Sequence, residues 1–94
     1  MNKITSHTVL SRRTNIISSN LDTELVMMNV DRGMYYGLEE IGVQIWNMME
    51  KPIRVADLVA QLNTRYQVES EQCEADTLEF LEELFAEDLI VIHS

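Results

Sequence analysis

Asp31-Arg32-Gly33-Met34-Tyr35-Tyr36-Gly37-Leu38 is the stretch on which the reading of this 94-residue chain turns. Just before it, Leu25 to Val30 alternates, with Val26, Met28 and Val30 on one face and Leu25 and Met27 on the other, the period of a strand. Asp favours turn initiation and Gly33 takes a positive φ at no steric cost, so Asp31-Arg32-Gly33 predicts a bulged hairpin connection. Met34 to Leu38 then runs back as the partner strand. Thr8-Val9-Leu10-Ser11 offers a further short strand, so a small antiparallel unit opens the fold.

Past the hairpin the period changes. Ile41, Ile45, Trp46, Met48 and Met49 recur at helical spacing until Lys51-Pro52, where proline stops a first helix. Arg54-Val55-Ala56-Asp57 opens a second, whose apolar stripe is Leu58, Val59, Leu62 and Tyr66. Ser70 is the predicted N-cap of a third and longest helix, with Glu71 and Glu74 where the helix dipole favours acids. It runs to about Glu87, then yields to Leu89-Ile90-Val91-Ile92, a closing strand or an apolar tail on the core. Two apolar rows mark this helix, Cys73, Phe80 and Leu84 against Leu78, Leu81 and Phe85. Either both are buried in one small core, or one packs inward while the other walls a groove beside the β-unit.

With 46% apolar and 24% charged residues, 3 Gly and 1 Pro, the chain has the composition of one folded domain spanning 1–94, ordered from about residue 7 to 92. Its net charge of −9 is lopsided: residues 1–68 balance 7 acids with 7 bases, whereas 69–94 hold 9 acids and no Lys or Arg. Such a segment repels nucleic-acid phosphates and anionic lipid, so neither is an expected partner. Catalysis is not expected either. His7 and His93 sit far apart in sequence, Cys73 lies within a helix among Glu residues as a small hydrophobe would, and no triad, zinc set, phosphate loop or Ca²⁺ loop is present. No cofactor or metal is therefore called for. A lone cysteine, no secretory signal pattern and no apolar run near ~20 residues lead us to expect a soluble, cytoplasmic protein.

Asp31-x-Gly33-x-Tyr35-Tyr36-x-Leu38, then Gly42-x-x-Ile45-Trp46, Pro52 with Leu58, Tyr66-x-Val68 and Phe80-Leu81-x-x-Leu84 together resemble the PqqD-like family over about residues 22 to 92. Val26-Met27-Met28, Glu40-Ile41-Gly42 and Cys73 make the chain most similar to the stand-alone members found with lasso-peptide biosynthesis, the RiPP recognition elements. Two positions depart from the pattern: Glu39 replaces the usual Asn, Asp or Gly, and Asp88 the Gly that often precedes the closing Leu, so both helix ends should be capped differently. The resemblance implies an α+β fold, winged helix-turn-helix-like, with a three-stranded antiparallel sheet packed on three helices. It implies a non-enzymatic protein that binds the leader segment of a ribosomally made precursor and delivers it to a cysteine-type leader peptidase, a cyclase acting afterwards. Other members serve as peptide chaperones for a radical SAM enzyme.

In that role Met34, Tyr35, Tyr36, Gly37 and Leu38 are the expected edge strand, ready to accept an extended peptide as an added strand. Asp76, Phe80, Glu83 and Leu84 are the expected opposing wall, with Phe80 and Leu84 facing Tyr35 and with Met27, Met28 and Met34 as a deformable lining. Tyr36 and Leu38 share one strand face and on their own read first as core anchors, as Trp46 does. The same open strand leaves room for pairing with a second copy in a homodimer. A winged-helix transcription factor shares this helix order, but the second helix offers only Arg54 and Arg65 and the third no base at all.

Overall fold

Two small antiparallel sheets and three helices make up the computed structural model, which describes residues 4–21, 24–67 and 69–93. In chain order the elements are β1 (Val9–Arg12), β2 (Ile16–Leu21), β3 (Glu24–Asn29), β4 (Met34–Glu39), α1 (Ile41–Met48), β5 (Ile53–Arg54), α2 (Val55–Tyr66), α3 (Ser70–Ala86) and β6 (Ile90–Ile92). One sheet has the order β5-β1-β6, the other β2-β3-β4. The class is α+β as expected, with two three-stranded sheets where the sequence pointed to one. Val68, part of the Tyr66-x-Val68 motif, lies outside the described residues.

The hairpin forms as its residues dictate. Gly33 adopts φ +65° and donates its N–H to the Asn29 carbonyl at 2.8 Å. The register sets Leu25 opposite Leu38, Met27 opposite Tyr36 and Asn29 opposite Met34 on the inner face; Val26 opposite Gly37 and Met28 opposite Tyr35 fall on the outer. Leu25, Met27 and Leu38 are buried there with Trp46, Leu58 and Leu81 in the core. The closing segment is a strand: β6 pairs with β1, on the sheet away from the hairpin.

Asn29, at an inward position, ties the hairpin to the C-terminal end of α3. Only 1% exposed, it donates from Nδ2 to the carbonyls of Asp88 (3.1 Å) and Glu87 (3.4 Å), while its Oδ1 accepts from the N–H groups of Asp31 and Arg32. Replacing it takes the partner from several part-buried polar groups at once, and a buried group left unpaired costs about 1–3 kcal/mol. Asn29→Ala should therefore cost about 2–3 kcal/mol, read as a lower urea midpoint at unchanged m.

The helix ends depart from expectation in physically clear ways. Ser70 is the first helical residue of α3 and not its cap; Glu69, extended at φ −62° and ψ 133°, holds the N-cap position without a side-chain hydrogen bond. At the other end Leu89 N–H donates to the Leu84 carbonyl (3.0 Å) and Asp88 N–H to the Phe85 carbonyl (3.1 Å), the two bonds of a Schellman motif. That motif needs a left-handed residue, and Asp88 supplies it at φ +59°. This is why glycine is usual there. Asp88→Gly should relieve about 1 kcal/mol of left-handed strain. It also gives up exposed ion pairs to Arg13 (3.9 Å) and Arg32 (3.6 Å), each worth little. We expect a net gain of about 0.5–1 kcal/mol in urea unfolding and a loss of about 1–2 kcal/mol for Asp88→Val.

Candidate functional site

β4 is an edge strand: among the described residues it pairs with β3 alone. Which of its backbone groups are free follows from the ladder. Val30 N–H donates to the Asn15 carbonyl, extending the β2–β3 register by one hydrogen-bonded pair. Antiparallel pairs alternate between bonded and unbonded, so Val26 and Met28 turn their backbone groups to β2, and Leu25, Met27 and Asn29 turn theirs to β4. Met34, Tyr36 and Leu38 answer them. The N–H and C=O groups of Tyr35, Gly37 and Glu39 accordingly point away from the sheet.

Beside this edge lies a groove of about 490 Å³, opening between β4, the start of α1, the end of α2 and the first half of α3. Leu38, Ile41, Gly42 and Ile45 form one side, Leu62 and Tyr66 a second, and Cys73, Asp76, Thr77 and Phe80 the third, with Gly37 and Gln72 at the margin. The α3 residues fall at i, i+3, i+4 and i+7, a single face of a helix. At Gly42 α1 approaches the other walls: a Cβ there would stand in ordinary contact, 3.4 Å from Phe80 Cζ and 3.7 Å from Leu38 Cβ. Farther along β4 the gap closes. Tyr36 Oη donates to Glu87 Oε1 at 2.7 Å, and that hydrogen bond to a carboxylate, followed by desolvation, raises the phenol above its ordinary value of 10.0.

A family model described as Coenzyme PQQ synthesis protein D (PqqD) matches residues 24–90, from β3 into β6. The chain belongs to the PqqD family. Among solved structures, "TbiB1 in Complex with the TbiA(beta) Leader Peptide" is similar to this PqqD-family chain, with a TM-score of 0.80 and 28% identity over 85% of this chain and 93% of that one. No curated protein matches the chain.

The residues singled out from the sequence are distributed unevenly over this PqqD-family site. Gly37, Leu38, Asp76 and Phe80 line the groove together. Tyr35 does not face Phe80 as expected: strand alternation puts it on the outer face, 72% exposed, while Tyr36 takes the inner side and reaches α3. Leu84 continues the groove-facing stripe of α3, but one turn on, where Tyr36 meets Glu87, it is buried at 4% in the core and is not part of the groove lining. Glu83 is exposed on α3 outside the groove lining, and Met34 is half exposed near the turn. Cys73 is buried in α3 and forms part of the groove floor. Ile41, Gly42, Ile45, Leu62, Tyr66, Gln72 and Thr77 complete the lining without having been singled out. Among the described residues no cluster of His, Cys, Asp and Glu could hold a metal, and no helix is long and apolar enough to cross a membrane.

Proposed function

We propose that this protein is a non-catalytic, cytoplasmic RiPP recognition element that binds the leader segment of a lasso-type precursor peptide by strand addition to β4 and hands it to a cysteine-type leader peptidase, with cyclisation following. The carrying observation is the vacant edge of β4 directly beside an apolar groove, so that main-chain bonds and side-chain burial are available to one extended guest. The similarity to a leader-peptide complex supports the class of guest. The register supplies selectivity, because a one-residue slip would turn every guest side chain to the other face.

Fluorescence anisotropy with labelled leader segments of lasso-type precursors tests the reading. Saturable binding at micromolar concentration is expected; none at tens of micromolar contradicts it. The PqqD description of the family model favours a second reading of the hand-over, delivery to a radical SAM enzyme. Adding this protein to each enzyme with its precursor separates the two: leader removal accelerates in one case, radical modification in the other. Pairing of β4 with a second copy would compete with the guest, so self-association should decline as leader is added.

A further inference from the structure

Among the described residues that line the groove, Asp76 is the only charged one. Its carboxylate is held from one side, Gln72 Nε2 donating to Oδ1 at 2.9 Å, which orients the group and leaves Oδ2 open. Among the described residues no cation pairs with it: the ion pairs there are those of Arg13 and Arg32 with Glu87 and Asp88, at the opposite end of α3. Arg65, next to the groove residue Tyr66, is hydrogen-bonded to Gln44. The wall is thus apolar with one oriented negative charge, set on a helix that carries Glu71, Glu74, Glu79, Glu82 and Glu83 and no base.

From this complementarity we infer that the groove selects a leader segment in which an inward-facing Lys or Arg accompanies the apolar anchors, and that Asp76 is the residue that selects it. The inference rests on the strand-addition reading above and specifies the chemistry of the guest. In an exposed setting such a pair is worth little. A guest lying in the groove covers Asp76 from water and weakens that screening, so the pair gains strength on binding. An acidic side chain at the same place faces Asp76 and the field of α3 together. Because side chains of an added strand alternate, the charge effect must follow a period of two along the guest.

The test is a guest scan of a lasso-type leader peptide, with Lys or Glu placed at each position in turn and affinity read by anisotropy against the wild type, Asp76→Asn and Asp76→Lys. At one or two inward positions the wild type should prefer Lys over Glu by about tenfold, equivalent to about 1.4 kcal/mol. That preference should collapse in Asp76→Asn, reverse in Asp76→Lys and shrink at high salt. Outward positions should show no preference. An equal preference in all three proteins, or none at any position of a leader that binds, overturns the role of Asp76 and leaves strand addition standing. If no scan peptide binds the wild type, strand addition and this inference fall together. Asp76 is exposed, so its variants retain the fold, which circular dichroism checks.

Discussion

Tyr35→Pro should weaken leader binding tenfold or more while the helical signal of the protein stays intact. The Tyr35 N–H is one of three that point from the free edge of β4, so proline removes a donor offered to the guest and none offered to β3. A peptide hydrogen bond nets about 0.5–1.5 kcal/mol, and the ring also stands where the guest backbone must approach, so the two effects together exceed the 1.4 kcal/mol of a tenfold change. Tyr35→Ala isolates the side chain, which lies on the outer face and can contribute only a cross-strand contact of about 0.2–1 kcal/mol. The backbone account requires the proline variant to bind clearly more weakly than the alanine one. Equal affinities in two folded variants would remove β4 from the interface.

Gly42 governs the groove as Tyr35 governs the edge. Space remains for a methyl group, since the nearest atoms would stand at 3.4 and 3.7 Å, so Gly42→Ala should fold at least as well and keep affinity within about threefold, an early helical glycine having been replaced by a better helix former. Gly42→Leu pushes a branched side chain toward Phe80 and Leu38 and fills the cavity that a guest side chain would occupy. Losing the burial of one large apolar guest side chain forfeits about 1.5–3 kcal/mol, a fall in affinity of roughly ten- to a hundredfold. Urea unfolding of each variant separates this from instability. Unchanged affinity in a folded Gly42→Leu protein would place the guest elsewhere.

Much of this architecture was legible because it is local. The alternation of Leu25 to Val30, the left-handed Gly33 and the break at Pro52 depend on near neighbours in sequence; they mark β3 and β4 to within a residue, while α1 stops at Met48, a turn before the proline. β2 was not legible. Ile16-Ile17-Ser18-Ser19-Asn20-Leu21 carries a polar centre, exposed from Ile17 to Asn20, and it becomes a strand by pairing with β3, a tertiary effect outside the segment matched to the family. Asn29 was missed for a related reason: an inward asparagine in a strand pattern announces nothing until the end of α3 arrives to accept its hydrogen bonds.

The candidate site divides the same way. The helical period made one row of α3 readable, Cys73, Phe80 and Leu84; the first two line the groove, whereas Leu84 is buried because the hairpin closes over the next turn, which no helical wheel records. The phase of β4 was readable too, yet the side presented to α3 was not, and so Tyr35 was placed where Tyr36 stands. Most of the lining comes from three helices whose mutual placement has no local signature.

Amide hydrogen exchange of the protein, free and with saturating leader, tests the added strand most directly. Strand addition predicts that the N–H groups of Tyr35, Gly37 and Glu39 exchange freely in the unbound protein and become protected on binding, while Tyr36, already bonded to β3, changes little. Saturation without protection of those three alternating amides, or with protection appearing instead along β2, would contradict it.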